Sequence, residues 1–200
     1  MFSTAKRVSG MSVALAILFA PLTASAQQGG YPGGNAYPFG TPASNADIAA
    51  WDRDVRPDGK GLPAGSGTYQ AGAKIYGEQC AACHGAKLQG MRDPNLPQGG
   101  GPALIGGRGT LNTTHFNMTV ESYWPYATTL FDYITRAMPY TAPGSLKPDE
   151  VYSLMAFILG EGNIVGKNVV MDAKSLPKVQ MPNRDGFYPD DRPYPVKRYD

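Results

Sequence analysis

Residues 69–84 read Tyr-Gln-Ala-Gly-Ala-Lys-Ile-Tyr-Gly-Glu-Gln-Cys-Ala-Ala-Cys-His, and this stretch decides the fold. Apolar residues recur in it at helical spacing up to Cys83, and Thr68 is suited to be the N-cap of a helix. The stretch then ends in the only two cysteines of the chain and one of its two histidines. It therefore predicts a helix that presents two thiols and an imidazole at its C-terminal end.

The motif Cys80-Ala81-Ala82-Cys83-His84 is typical of covalent haem c attachment. Two thiols at this spacing can each add to one vinyl group of a haem, and the adjacent imidazole can then reach the iron axially. A zinc site would need four ligands, and the chain offers one further histidine, His115, and no further cysteine. A disulfide is the other alternative. We predict one haem c on Cys80 and Cys83, with His84 as the proximal iron ligand.

The second axial ligand decides between electron transfer and ligand binding, because a methionine thioether closes the sixth position of the iron. Six methionines follow residue 26: Met91, Met118, Met138, Met155, Met171 and Met181. Met138 is favoured because it lies between a predicted helix and Pro139, in a segment free to turn its sulfur inward. Met118 and His115 stay open as alternatives.

The loop Gly101-Pro102-Ala103-Leu104 is expected to lie beside the haem. A carbonyl there could accept the free ring N–H of His84 and fix the orientation of the imidazole. Further candidates for the haem environment are side chains that could donate to the propionates, with ordinary loop packing as the alternative: Arg108, Tyr123, Trp124 and Tyr126.

The first 26 residues are predicted to be a secretory signal peptide, cleaved before Gln27. A basic start is followed by an apolar run of about 12 residues, too short to span a bilayer comfortably. No later stretch could span a membrane, so we expect a soluble periplasmic protein. The chain has 18 Lys and Arg and 16 Asp and Glu, and loss of Lys6 and Arg7 would balance them. This balance argues against nucleic acid as a partner, since phosphate binding needs clustered positive charge.

Two further helices are predicted, over 126–137 and 148–159, separated from the first by a Gly-rich and Pro-rich loop over 85–109. Pro148 suits a first helical position, and Asp149 and Glu150 suit a positive helix start.

The organisation is expected to be an irregular N-terminal arm over 27–67, a domain over 68–162 and an extended tail over 163–200. Both flanks are poor in aliphatic residues and rich in Pro, Gly and Tyr, so we expect the tail to lie over the domain surface or a partner.

This pattern resembles class I cytochrome c over roughly residues 68–162. The resemblance covers the first helix with its haem motif, the Gly-Pro-x-Leu loop, a methionine after a helix and a final amphipathic helix. It implies an all-α fold, in which Gly72 and Tyr76 of the first helix pack against Phe157 of the last. It also implies His84 and Met138 as the axial ligands.

A narrower resemblance covers most of the chain after residue 57. Its segments are Asp58–Pro63, Ser122–Ile134, Arg136–Pro139 and Met181–Phe187. They are similar to the cytochrome c subunit of periplasmic molybdenum sulfur or sulfite dehydrogenases, the SoxD type. The resemblance implies a molybdopterin-bearing partner that oxidises a sulfur compound and passes single electrons to this haem. Some members carry a second haem domain, whereas this chain has one attachment motif.

Two alternatives remain at the level of sequence. One is a free cytochrome that carries electrons to a downstream cytochrome or terminal oxidase. The other is a haem protein with an open iron that binds ligands or acts on peroxides. No set of catalytic acid, base and nucleophile is evident, so we expect an electron-transfer subunit without a catalytic site of its own.

Overall fold

The computed structural model describes residues 40–189 of the protein. Five helices carry the fold: α1 (Asn45–Trp51), α2 (Tyr69–Gln79), α3 (Ala81–His84), α4 (Ala127–Ala137) and α5 (Pro148–Glu161). One small antiparallel sheet pairs β1 (Ser66–Gly67) with β2 (Met171–Asp172), and 3-10 turns occupy Pro97–Gly99 and Leu176–Lys178. The predicted all-α class is confirmed. No helix within residues 40–189 is long and apolar enough to cross a membrane.

The starts of the main helices follow from their capping residues. The Thr68 hydroxyl accepts the backbone N–H of Ala71 at 3.3 Å and caps α2. At α5, Pro148 occupies the first turn, and the Glu150 carboxylate accepts the backbone N–H of Lys147 at 2.7 Å. Lys147 stands where a capping Ser or Thr would be preferred, and the N–H of Glu150, which such a side chain would accept, donates instead to the Lys147 carbonyl at 3.0 Å.

Helices α2 and α5 pack closely because a glycine lies where they meet. A Cβ atom on Gly72 would lie 1.9 Å from the backbone oxygen of Ser153, so no larger residue fits there without moving a helix. One turn further along, the rings of Tyr76 and Phe157 lie 5.1 Å apart. The packing of Gly72 and Tyr76 against Phe157 is therefore as expected.

The core is built around α5, in which every residue from 151 to 160 is buried. Helix α4 packs on it through Phe131, whose ring lies 4.7 Å from that of Tyr152. Burial of side chains of this size stabilises the folded state by roughly 1.5–3 kcal/mol each. The core thus fixes α2 and α4 on one central helix.

The flanking segments contribute more to the core than predicted. The stretch 163–200 was expected to be an extended surface tail, but Met171, Leu176 and Met181 are buried in the core. On the N-terminal side, Val55 and Leu62 pack against the same core. Met171, Leu176 and Met181 follow neither the helical nor the strand period, so the sequence pattern did not indicate their burial. The predicted signal peptide over 1–26 and residues 27–39 of the predicted arm lie outside the described residues.

Candidate haem site

The imidazole of His84 is fixed by the loop that follows it. Cys80 ends α2, and the short helix α3 continues from Ala81 to His84. The His84 Nδ1 atom lies 2.8 Å from the carbonyl oxygen of Pro102. A carbonyl can only accept, so Nδ1 carries the proton and the lone pair of Nε2 is left available for a metal. The expected carbonyl acceptor in this loop is therefore found.

The loop reaches His84 through close backbone contacts. The N–H of Gly90 donates to the His84 carbonyl at 2.8 Å, and the N–H of Gly101 donates to the Cys83 carbonyl at 2.9 Å. A Cβ atom on Gly101 would lie 2.7 Å from His84 Nδ1. Glycine is needed at 101 because any side chain would displace either the loop or the imidazole.

Both cysteines are unpaired and partly buried in the structure. Burial, followed by the nearby Cys83, raises the pKa of the Cys80 thiol to about 11, so this thiol stays protonated at neutral pH. Among residues 40–189, no group of three or more His, Cys, Asp or Glu side chains could hold a metal ion.

A cavity of about 540 Å³ opens beside these groups. This volume lies within the range of clefts that bind small-molecule cofactors, about 300–1,000 Å³. Its lining joins residues that are distant in sequence and includes Cys80, Cys83, His84, Pro102, Leu104, Trp124 and Met138. Two thiols, an oriented imidazole and a thioether around a largely apolar cavity are the donor set that a haem c requires. The residues that line the cavity therefore fit a haem c.

Two methionines line the cavity, Met138 and Met118. Met138 is the C-cap of α4 in extended conformation, and its N–H donates to the Ile134 carbonyl at 3.1 Å. Its side chain is partly buried, whereas Met118 is 53% exposed. His115 is exposed and does not line the cavity. The geometry favours Met138 as the thioether ligand.

Comparison with known proteins agrees with this geometry. The cytochrome c family profile matches residues 69–160. The chain is also similar to a chain in the crystal structure of the sulfane dehydrogenase SoxCD from Paracoccus pantotrophus. The two share 38% sequence identity and a TM-score of 0.68, over 78% of this chain and 73% of that chain. The chain belongs to the cytochrome c family. Membership implies electron transfer by a covalently bound haem c. No curated protein sequence matches this cytochrome.

Three of the residues predicted for the haem environment of this cytochrome line the cavity, namely Pro102, Leu104 and Trp124. The Trp124 ring is held edge-on against Tyr133, with ring centroids 5.7 Å apart. These three side chains therefore lie at the cavity, and their contact with a haem stays a prediction.

The other three, Arg108, Tyr123 and Tyr126, lie elsewhere, which corrects the expectation for them. Arg108 pairs with Glu121 at 2.5 Å and donates to the Gly162 carbonyl at 2.5 Å. Tyr123 contacts Phe187 edge-on at 5.3 Å, and Arg184 lies 4.2 Å from the centroid of the Tyr126 ring. Arg108 thus closes the loop before α4, and the rings of Tyr123 and Tyr126 pack against the C-terminal segment.

Several residues that line the cavity were not predicted from the sequence. Leu130 and Ile134 of α4 line it and stand eight and four residues before Met138, so the helical spacing that leads to Met138 was the signal for them. Gln98 and Tyr140 also line it and are joined by a hydrogen bond of 2.6 Å from Gln98 Nε2 to the Tyr140 hydroxyl. No pattern in the sequence linked this last pair, which lies 42 residues apart.

Proposed function

We propose that this cytochrome is the electron-accepting subunit of a periplasmic molybdenum-dependent dehydrogenase that oxidises a reduced sulfur compound. The proposal is carried by one combined observation. Two thiols, an imidazole and a thioether line one cavity, in a chain that is 38% identical to a chain of sulfane dehydrogenase SoxCD. The molybdenum centre and the choice of sulfur substrate belong to the partner. A downstream cytochrome or oxidase would then take the electrons.

Each main residue of the site has a role in this proposal. Cys80 and Cys83 would hold one haem c through thioether bonds, and His84 and Met138 would be the axial iron ligands. The haem, when bound, supplies a reversible one-electron couple. Pro102 keeps the His84 ring in one orientation and tautomer through its carbonyl. The largely apolar lining would limit the water around the haem, and the Met138 thioether would raise its reduction potential.

The segments that carry the narrower resemblance contact one another, which supports a shared partner surface. The side-chain amide of Asn183 donates to the Tyr123 carbonyl at 2.8 Å, and Arg184 lies over the Tyr126 ring. Tyr123 and Phe187 pack edge-on and are still 38% and 50% exposed. The C-terminal segment and the stretch before α4 thus share one surface with exposed aromatic rings, a residue type enriched in protein interfaces.

The test is purification of the cytochrome from its native host under conditions that preserve complexes. The proposal predicts a copurifying protein that contains molybdenum, a polypeptide mass increased by one haem, and reduction of the haem on addition of sulfite or another reduced sulfur compound. Removal of molybdenum from the partner should abolish this reduction, whereas reduction by dithionite should persist. A chain that purifies alone, without molybdenum and without reduction by sulfur compounds, would contradict the proposal and favour a freely diffusing carrier.

The same preparation separates electron transfer from ligand binding. A six-coordinate iron with a thioether ligand should bind carbon monoxide slowly and incompletely in the reduced state. Rapid and complete binding by the resting protein would indicate an open iron and weaken the carrier assignment.

A further inference from the structure

The last turn of α4 reaches the cavity, and its cap residue Met138 is partly buried against the core there. Its backbone N–H bonds to the Ile134 carbonyl at 3.1 Å, after which the chain leaves the helix into turns with an exposed Tyr140. Terminal turns of helices fray, because their final carbonyls lack intrahelical partners. The position of Met138 therefore depends on what holds this turn in place as well as on its own packing against the core.

Two charged side chains of α4 tie this turn to a segment far away in sequence. Asp132 accepts the Arg136 Nε–H at 2.9 Å and, with its other oxygen, the backbone N–H of Val55 at 3.0 Å. A terminal nitrogen of the same Arg136 guanidinium donates to the Asp54 carboxylate. The attachments thus lie two and six residues before Met138.

The segment that receives these bonds is itself well fixed. The backbone N–H of Arg56 donates to the Lys60 carbonyl at 2.9 Å, closing a tight turn. A Cβ atom on Gly61 would lie 2.0 Å from the Asp54 carbonyl oxygen, so the two sides of the turn are in close contact. Val55 and Leu62 anchor the turn on the core. Asp54 and Val55 therefore offer the helix end a rigid point of attachment.

We propose that Asp132 and Arg136 are positioning residues for Met138, and that Asp54 and Val55 complete their anchorage. The inference rests on the proposed role of Met138 as an axial ligand. Arginine suits this position because its planar guanidinium directs separate N–H groups at two carboxylates, whereas the lysine ammonium is a single point charge. Loosening the helix end would let the thioether leave the iron more often, and an external ligand would then compete more successfully.

The experiment measures imidazole binding to the ferric holoprotein, together with the absorption band of the thioether–ferric iron bond and the reduction potential. The variants are Arg136→Ala, Arg136→Lys and Asp54→Asn. Side chains of Arg136 and Asp54 are 39% and 76% exposed, so these changes do not open the core. Lys167→Met is the matched control, since it breaks a comparable exposed pair with Glu161 at the end of α5.

We expect Arg136→Ala to bind imidazole about fivefold more tightly than the wild type, which is the upper range for loss of an exposed ion pair. The thioether–ferric iron absorption band should be weaker and the reduction potential lower. Arg136→Lys should recover part of the difference, and Asp54→Asn should give a smaller change in the same direction. Lys167→Met should match the wild type in all three measurements, even if its stability falls by as much as that of Arg136→Ala.

The outcomes distinguish this inference from the proposed function. If Met138→Ala loses the band but Arg136→Ala and Asp54→Asn behave like Lys167→Met, the positioning role is overturned and the ligand assignment stands. If the wild type lacks the band, or Met138→Ala retains it, the ligand assignment fails and the positioning role fails with it.

Discussion

His84 Nδ1 lies 2.8 Å from the carbonyl oxygen of Pro102, and the loop reaches that distance because residue 101 is glycine. The contact sets the tautomer of the imidazole and strengthens it as an electron donor to a metal, since an acceptor on Nδ1–H raises the basicity of Nε2. A loop without catalytic groups thereby influences the redox chemistry of the site.

Substitution Gly101→Ala tests this contact. The added Cβ would lie 2.7 Å from His84 Nδ1 and 3.0 Å from the Cys83 carbonyl oxygen, so the loop must retreat from the ring. We expect the free energy of unfolding in denaturant to fall by about 1–3 kcal/mol, as for other overpacked sites. The reduction potential should rise, because a less basic imidazole stabilises ferric iron less. A variant with unchanged stability and potential would show that the contact is dispensable.

Substitution of the two methionines that line the cavity tests which one binds the iron. Met138→Ala should abolish the thioether–ferric iron absorption band and lower the reduction potential, because the iron loses its sulfur ligand. Met118→Ala should retain the band, since Met118 is 53% exposed at the cavity. Loss of the band in Met118→Ala with retention in Met138→Ala would reverse the assignment.

The main helices and the attachment motif could be predicted because their signals are local. Thr68 caps α2, which starts at Tyr69 as predicted, and Pro148 starts α5 at the predicted residue. The single continuous helix predicted through Cys83 is interrupted at Cys80, whose φ of −123° leaves the helical range. This break turns α3 relative to α2, which capping and periodicity do not encode.

The misassigned site residues share a different cause. Arg108, Tyr123 and Tyr126 are donors of the right type in the right neighbourhood, but each is used by a distant segment. Glu121 and the C-terminal segment compete for these side chains, and sequence alone does not rank such tertiary partners. The same limit explains why burial of the C-terminal segment was missed, since its core residues Met171, Leu176 and Met181 follow neither the helical nor the strand period.

Because the segment after α5 is buried in the core, we expect a substitution of Leu176 to destabilise the protein strongly. Leu176 is completely buried, so Leu176→Ala should lower the free energy of unfolding by about 2–5 kcal/mol through lost burial and a residual cavity. Val170→Ala, six residues earlier and 53% exposed, is the control and should change it by less than about 0.5 kcal/mol. Denaturant unfolding of the holoprotein measures both. Equal small effects would mean that residues after α5 are a surface tail after all.

Two glycines on α2, one at the contact with α5 and one away from it, allow a controlled test of that contact. Gly72→Ala would place a Cβ 1.9 Å from the Ser153 backbone oxygen, whereas a Cβ on Gly77 meets nothing within 4 Å. We expect Gly72→Ala to destabilise the protein by about 3 kcal/mol, since backbone cannot move aside as a side chain can. Gly77→Ala should stabilise it by up to about 1 kcal/mol through higher helix propensity. Thermal unfolding of both holoproteins checks the difference, and similar effects at the two sites would contradict the close packing.

The lowered pKa of Glu161 leads us to expect a pH dependence of the free energy of unfolding. Hydrogen bonds from Lys167, the larger effect, and from Tyr69 lower the pKa of Glu161 below its ordinary value of 4.5. A carboxyl whose pKa is lowered by folding stabilises the protein above its unfolded pKa and loses that contribution as the pH falls through the folded pKa. Glu161→Gln should therefore be less stable than the wild type at pH 7. The difference in free energy of unfolding between the two proteins should shrink as the pH falls below about 4.5, the ordinary pKa of a glutamate.

The measurement is the difference in free energy of unfolding between wild type and Glu161→Gln at several pH values, because a difference cancels groups that titrate equally in both. Glu78→Gln is the control, since Glu78 is exposed and makes no ion pair within residues 40–189. Its difference from the wild type is the reference for replacing an exposed glutamate that makes no ion pair. Salt at about 1 M, where the Debye length is about 3 Å, should shrink the Glu161 gap at pH 7, because the Lys167 side chain is 55% exposed. A gap that widens on acidification would contradict the lowered pKa of Glu161 and, with it, the ion pair that joins the end of α5 to the segment after it.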